Sequence, residues 1–169
     1  MPTATNTVTL KGNPVTLVGN DVQVGQTAPE STLAANDLSE VKLSSFKGKK
    51  LILSVVPSLD TPICDKQTRR FNEEAVKLKD TVILTISMDL PFAQKRWCGQ
   101  TGSDKIQTLS DHRQASFGQA YGVLIKNLHL LARAIFIIDQ KWVVRYKQIV
   151  PEIAQEPNYQ EVLETLKKI

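Results

Sequence analysis

The chain has 169 residues, 41% of them hydrophobic and 22% charged, with a formal net charge of +4. These values predict one domain over residues 1–169, with a core that needs no disulfide or metal to stabilise it. The basic residues are dispersed and lack interleaved aromatic side chains, which argues against a nucleic-acid interface. No signal-peptide pattern opens the chain and no apolar run reaches membrane-spanning length, so we expect a cytoplasmic protein without a membrane partner.

Short β-rich runs begin the chain. Residues 7–10 and 15–18 flank a Lys-Gly-Asn-Pro turn sequence, which predicts an N-terminal β-hairpin. Residues 25–43 are rich in small polar residues, and we expect irregular structure there.

Longer apolar runs follow at residues 51–56, 81–88 and 134–138. Continuous runs of this length are typical of strands covered on both faces of a sheet. Residues 143–149 alternate more in polarity, which predicts a less buried neighbouring strand.

Helical patterns separate these strands. Apolar positions about one turn apart predict a helix over residues 63–78, and a second helix is expected to begin at residues 89–91 and to end at Gly99. Residues 159–166 predict a short closing helix. Alternating strands and helices indicate an α/β protein with a central mixed β-sheet flanked by helices.

Cys64 lies at the predicted start of the first helix. With Thr61 as N-cap and Pro62 as the first helical residue, Cys64 falls in the first turn, where free N–H groups and the helix dipole favour an anionic sulfur. The Thr61 hydroxyl is placed either to accept a hydrogen bond from the Cys64 amide or to turn towards the sulfur. The alternative is that Cys64 is a small buried apolar side chain. The cap and the thiol converge on one spot, which favours a reactive cysteine.

Cys98 has the opposite predicted environment, at the C-terminal end of the second helix. The dipole there disfavours a thiolate, so we expect a protonated thiol that reacts only when an electrophile is near. This asymmetry suits a cycle in which Cys64 reacts first and Cys98 attacks the product. The spacing fits an ordinary helix-end residue without a role equally well.

Arg133 interrupts the apolar run that leads into the third buried strand. An arginine is costly to bury unless it faces an anion, and a Cys64 thiolate at the neighbouring helix start would be that anion. The alternative is an arginine just outside the sheet whose side chain reaches water.

Residues 57–64 read Pro-Ser-Leu-Asp-Thr-Pro-Ile-Cys, and this run resembles the Pro-x-x-x-Thr-x-x-Cys motif of the peroxiredoxins. The longer run is similar to the thiol peroxidase subfamily, the atypical two-cysteine group. Several other stretches match that subfamily in the right order: residues 69–72, 89–94, 96–99 and 131–134. The resemblance covers nearly the whole chain. Residues 124–130 depart from it, because they are fewer and poorer in glycine than in that subfamily.

The resemblance implies a thioredoxin-like fold and thiol-dependent reduction of hydrogen peroxide and of organic, alkyl or lipid hydroperoxides. It assigns the peroxidatic role to Cys64 and the resolving role to Cys98, with an intramolecular disulfide between them. Thr61 matches the hydroxyl that hydrogen-bonds the peroxide, Pro57 the residue that shields the sulfur, and Arg133 the active-site arginine. A thioredoxin-like dithiol reductant and a homodimer are implied as partners.

The two cysteines lie on different predicted helices, although a disulfide needs Cα atoms within roughly 7 Å. We therefore expect at least one helix end to shift or unwind before the bridge closes. In a reducing cytosol such a bridge would be transient and catalytic.

Other functions fit parts of the sequence. A thioredoxin-like disulfide reductase would need a C-x-x-C motif, which Cys64 does not provide. A metal module would use side chains whose spacings match no usual zinc pattern, namely Cys64, Cys98, His112 and His129. A non-enzymatic peroxide sensor would use the same sulfur chemistry and stays open. No dinucleotide or phosphate-binding fingerprint is present, so we expect no cofactor.

Overall fold

A computed structural model describes residues 7–75, 77–101 and 106–169. The predictions that depend on residues 1–6 (no signal peptide) and on position 76 (helix) lie outside the described residues. In chain order the strands are β1 (Thr7–Leu10), β2 (Asn13–Val18), β3 (Thr32–Ala34), β4 (Glu40–Lys42), β5 (Lys50–Val55), β6 (Thr81–Ser87), β7 (Gln107–Ser110), β8 (Leu124–Ile125), β9 (Leu130–Leu131), β10 (Ala134–Ile138) and β11 (Val144–Ile149). The α-helices are α1 (Pro62–Ala75), α2 (Pro91–Thr101), α3 (Ser116–Tyr121) and α4 (Tyr159–Lys167). None of the helices in the described ranges has the length and apolar character needed to span a membrane.

The centre of the fold is a mixed sheet flanked by helices, as the sequence predicts. Within the described ranges it has seven strands in the order β11-β10-β5-β6-β7-β3-β4. Strands β5, β6 and β7 are parallel, whereas β10 is antiparallel to β5 and β11 to β10. The predicted N-terminal hairpin is formed by β1 and β2, and β2 pairs onward with β8, which forms a second hairpin with β9.

Both faces of the central sheet are buried, which explains the continuous apolar runs. On one face, Leu51 and Leu53 of β5 belong to the same core as Phe117 of α3. On the other face, Ile52 belongs to a core that includes Phe71 of α1. Full burial of one such side chain stabilises the fold by about 1.5–3 kcal/mol. The segment that leads from β5 into α1 therefore starts from a strand fixed on both sides.

Several sequence predictions are wrong. The stretch at residues 25–43, predicted to be irregular, contains β3 and β4, which have only three residues each and so show no clear periodicity. The helix predicted over residues 63–78 ends at Ala75. Leu78 follows it in a loop and is partly buried against the core, so its apolar character reflects packing and not a longer helix. Strands β7, β8 and β9 and helix α3 were not predicted.

Gly99 does not end the second helix, contrary to prediction. Helix α2 continues through it to Thr101, and Gly99 is not among the glycines with positive φ. A glycine typically ends a helix by adopting the left-handed conformation, as Gly122 does after α3 with φ of 70°. Cys98 therefore lies inside the last turn of α2, with helix on both sides of it.

Candidate active site

The N-terminus of α1 positions the first cysteine. The Thr61 Oγ1 atom accepts a hydrogen bond from the Cys64 backbone N–H at 3.4 Å and donates one to the Ser58 carbonyl at 3.1 Å. Because α1 begins at Pro62, Thr61 is the N-cap and Cys64 the third helical residue, as predicted. Of the two placements expected for the hydroxyl, the one that caps the helix is present.

Cys64 is a free thiol that is fully buried, with an exposed fraction of 0%. Its neighbours in a small apolar cluster are Val56, Leu59 and Trp97. The Nη2 atom of Arg133 donates a hydrogen bond to the Cys64 sulfur at 3.1 Å. Burial keeps water from competing for the sulfur, and the first turn of α1 places partial positive charge beside it.

Arg133 is itself buried, with an exposed fraction of 2%. The alternative of an arginine that reaches water from the sheet edge is therefore wrong. Its guanidinium is therefore buried beside the sulfur. A buried cation is stabilised by an anion within hydrogen-bond distance, and a Cys64 thiolate satisfies that need.

The Gln67 side chain holds Arg133 in place and is itself held by Ser54, and sequence reasoning missed both residues. The Gln67 Oε1 atom accepts a hydrogen bond from Arg133 Nη1 at 2.8 Å, and Gln67 Nε2 donates to Ser54 Oγ at 2.8 Å. Both Gln67 and Ser54 are fully buried. Arg133 Nε donates to the Ile153 carbonyl at 2.7 Å, so each guanidinium nitrogen has an acceptor. The available signal was that Gln67 is a polar residue three positions after Cys64, on the inward stripe of α1.

The loop before α1 is held by Asp89, which follows β6 in the chain. Asp89 Oδ1 accepts a hydrogen bond from Ser58 Oγ at 2.6 Å, and Oδ2 accepts one from the Leu59 backbone N–H at 2.7 Å. Ser87 Oγ donates to the same Oδ2 atom at 2.7 Å. Pro57 is half-buried at the start of this loop. The Asp89 carboxylate thus holds the segment between Pro57 and Thr61 in place.

Cys98 is a half-buried free thiol whose sulfur contacts a different part of the sheet. Its Sγ atom lies 3.7 Å from Thr108 Oγ1 on β7. Thr108 Oγ1 donates its proton to Asn36 Oδ1 at 3.0 Å, which leaves a lone pair to accept from the Cys98 thiol. Cys98 also lines an open cleft of about 730 Å³ beside β7. The structure brings Cys64, Thr61 and Arg133 together and holds Cys98 against β7.

The structure gives no support for the metal site proposed as an alternative. Across residues 7–75, 77–101 and 106–169, no group of three or more His, Cys, Asp or Glu side chains is arranged to hold a metal ion. That alternative has no geometric support.

Known proteins resemble this chain over nearly its whole length. The family model described as Redoxin matches residues 23–163. The thiol peroxidase of Bacillus subtilis (strain 168) is 55% identical over 162 residues, which cover 96% of this chain and 97% of that protein. The thiol peroxidase of Oceanobacillus iheyensis is 54% identical over 161 residues, covering 95% and 98%.

Solved structures of related proteins also resemble this chain. A peroxiredoxin-like protein from Aquifex aeolicus superimposes with a TM-score of 0.91 at 45% identity, over 96% of each chain. A thiol peroxidase from Chromobacterium violaceum has a TM-score of 0.88 at 20% identity, also over 96% of each chain, which shows likeness of fold alone.

Proposed function

The chain belongs to the peroxiredoxins and, within them, to the thiol peroxidases, and on that premise we propose that it reduces hydroperoxides through Cys64 and a Cys64–Cys98 disulfide. It is a peroxiredoxin-type peroxidase with a thioredoxin-like fold. One observation carries the proposal: the fully buried Cys64 sulfur lies at the start of α1, 3.1 Å from the Arg133 guanidinium.

In the first step the Cys64 thiolate attacks one oxygen of ROOH. The S–O bond forms as the O–O bond breaks, the departing oxygen takes a proton to leave as water or an alcohol, and Cys64 becomes a sulfenic acid. Negative charge moves from the sulfur to the departing oxygen during this step. Arg133 is already fixed beside the sulfur by three hydrogen bonds, so it stabilises that charge with little reorganisation.

Thr61 binds the peroxide, and Pro57 limits access to the sulfur. The Thr61 hydroxyl has one proton and two lone pairs, and its proton now goes to the Ser58 carbonyl. Rotation of that hydroxyl gives an incoming peroxide a hydrogen-bond partner next to the sulfur. Pro57 has no N–H group to compete for the peroxide, and we assign it the role of shielding the sulfur.

In the second step the Cys98 thiol attacks the Cys64 sulfenic acid, the S–S bond forms, and water leaves. For this the Cys98 sulfur has to leave Thr108, which requires the last turn of α2 to shift or unwind. Two features make that turn easy to open: Cys98 is only half-buried, and Gly99 weakens a helix by about 1 kcal/mol relative to alanine. A thioredoxin-like dithiol protein then reduces the disulfide in our proposal.

We propose the cytoplasm as the location and a homodimer as the assembly. A reducing cytosol keeps both cysteines as thiols between turnovers. Leu90 and Phe92 are exposed by 53% and 65% at the start of α2, beside the active-site loop. A second copy of the chain would cover these two apolar side chains.

The test is intact mass and peptide mapping after one equivalent of cumene hydroperoxide. We expect the wild type to lose two hydrogens with a Cys64–Cys98 linkage, and Cys98→Ser to accumulate a sulfenic acid at Cys64. If Cys64 stays a thiol while the peroxide persists, the peroxidase mechanism fails for this chain. Sustained turnover with a recycling dithiol reductant separates an enzyme from a peroxide sensor, which would react once.

A further inference from the structure

A hydrogen bond joins the chain neighbours of the two cysteines. Asp65 follows Cys64 on α1, and Trp97 precedes Cys98 on α2. The Trp97 Nε1–H group donates to Asp65 Oδ1 at 2.8 Å. We call this hydrogen bond the latch. Its position makes it a direct connection between the two helix segments that carry the reacting sulfurs.

Arg69 holds the carboxylate of the latch in place. Its Nε atom donates to the other Asp65 oxygen, Oδ2, at 2.8 Å, and its guanidinium lies 5.9 Å from the centre of the Trp97 ring. Asp65 therefore has both oxygens engaged, one by each neighbour. A carboxylate held in this way is a fixed acceptor for the indole.

The indole also lies against the cysteine that Cys98 has to reach. Trp97 packs against the cluster of Val56, Leu59 and Cys64. Successive residues of a helix point about 100° apart, so with Trp97 on the Cys64 side, Cys98 points to Thr108 on β7. The Cys98 sulfur therefore faces β7, while the indole of the preceding residue lies against Cys64.

We infer that the Asp65–Trp97 latch sets the rate at which Cys98 resolves the oxidised Cys64. The inference rests on the proposed function, because it concerns the step in which the Cys64 sulfenic acid and the Cys98 thiol form a disulfide and water. Asp65 and Trp97 are positioning residues here, since neither exchanges atoms with the peroxide. Opening the latch is the first movement of that step.

The latch also decides a competition at Cys64. A sulfenic acid that is not resolved reacts with a second ROOH, which adds another oxygen to the sulfur, releases ROH and leaves a sulfinic acid. A slow latch lengthens the life of the sulfenic acid and raises the yield of sulfinic acid at high peroxide. Sensitivity to over-oxidation is thus a property of residues that lie outside the chemical step.

The first test compares Trp97→Phe with Trp142→Phe, the chain having two tryptophans. Phenylalanine keeps a ring beside Cys64 and removes the N–H donor, while Trp142 lies in the main core and serves as the matched control. Acid-quenched samples taken after one equivalent of peroxide are alkylated and their intact masses measured. We expect Trp97→Phe to convert sulfenic acid to disulfide about fivefold faster than wild type, the factor expected for one hydrogen bond. The Trp142→Phe rate should match wild type.

The second test varies the acceptor. Asp65→Ala should accelerate resolution as Trp97→Phe does, whereas Asp65→Asn keeps a carbonyl oxygen for the indole and should stay close to wild type. The Trp97→Phe/Asp65→Ala double variant should be no faster than either single variant, because both remove the same interaction. These variants keep the inference testable if one of them folds poorly. Additive effects, or resolution at the wild-type rate or slower in Trp97→Phe, would overturn it.

A spectroscopic readout follows the latch itself. In Trp142→Phe, Trp97 is the remaining tryptophan, and its emission should move to longer wavelength at the rate of disulfide formation as the indole enters water. Reduction should reverse the change. Emission that stays constant while the disulfide forms would contradict the inference. Failure of the proposed function would give a different result, because no sulfenic acid would then form at Cys64 in any variant. The inference about the latch would be wrong in that case too.

Discussion

Replacing Gln67 with leucine should slow the oxidation of Cys64, although Gln67 does not touch the sulfur. Gln67 Oε1 is the acceptor for Arg133 Nη1, and Gln67 Nε2 donates to Ser54 Oγ. Leucine has a similar volume and no polar atom. Gln67→Leu therefore leaves the guanidinium free to turn away from the sulfur while the packing of α1 on the sheet is largely kept.

The size of the effect follows from the buried groups left without partners. An unpaired buried polar group costs about 1–3 kcal/mol, and the Arg133 Nη1 group is part of a charge. We therefore expect Gln67→Leu to lower the free energy of unfolding by about 2–4 kcal/mol. Loss of orientation at Arg133 should reduce the rate constant for Cys64 oxidation about tenfold, which corresponds to about 1.4 kcal/mol of transition-state stabilisation.

The chain offers a matched control in Gln94. It too is fully buried, and its Nε2 atom donates to Ser87 Oγ and to the Leu109 carbonyl, away from Arg133. Urea unfolding and stopped-flow oxidation of both variants separate the two effects. Gln94→Leu should lose comparable stability and slow oxidation by less than Gln67→Leu, because its partner Ser87 reaches the active-site loop only through Asp89. Gln67→Glu, which keeps an acceptor for Arg133, should lose less stability and less oxidation rate than Gln67→Leu. Equal oxidation rates in Gln67→Leu and Gln94→Leu would refute the reasoning.

Three other substitutions test separate parts of the account. Arg133→Lys keeps the charge but loses the planar set of donors, so stopped-flow oxidation of Cys64 should slow about a hundredfold, and a rate within threefold of wild type would count against Arg133. Thr61→Val removes the helix cap, and urea unfolding should show a loss of about 1 kcal/mol; unchanged stability would argue against the cap. Burial raises the pKa of Asp111 to about 6 from 3.8, although two backbone N–H groups bind the carboxyl. Between pH 4 and 6 the folded state therefore retains a proton on Asp111 that the unfolded state releases. The protonated carboxyl contributes about 3 kcal/mol to the free energy of unfolding below pH 4, and this contribution is lost as the pH rises through 6. Unfolding measured from pH 3.5 to 7.5 should show this decline in the wild type relative to Asp111→Asn, and parallel curves would contradict it.

The parts of the site that the sequence predicts are the ones encoded locally. The cap by Thr61 and the position of Cys64 depend on four consecutive residues, Thr-Pro-Ile-Cys, whose preferences at a helix start are strong. The burial of Arg133 was predicted from its cost, because an arginine in an apolar run needs a partner. The central strands were predicted for a similar reason, since both of their faces are covered.

The parts that escaped prediction depend on contacts between distant segments. The amide of Gln67 has a role because it binds Arg133, which lies 66 positions away in the chain. Asp89 was predicted only as part of a helix start, although it accepts hydrogen bonds from Ser58 and Leu59 in the loop before α1. No local periodicity reports such pairs.

The orientation of Cys98 was also beyond the sequence. A glycine after it suggested a helix end, yet the helix continues to Thr101 and turns the sulfur towards Thr108. A glycine ends a helix only when the chain takes the left-handed conformation, and tertiary packing decides that. The movement expected before the disulfide closes is thus larger than a shift of one terminal residue.

The most direct test of the central claim compares the two cysteines of this chain as nucleophiles. The second-order rate constant for oxidation by hydrogen peroxide is measured for Cys64 in Cys98→Ser and for Cys98 in Cys64→Ser. A buried sulfur beside Arg133 at a helix start should react at about 10⁴ M⁻¹ s⁻¹ or faster, within the range of enzymes, while Cys98 should react as an ordinary thiol, far more slowly. Equal rate constants for the two cysteines would contradict the account.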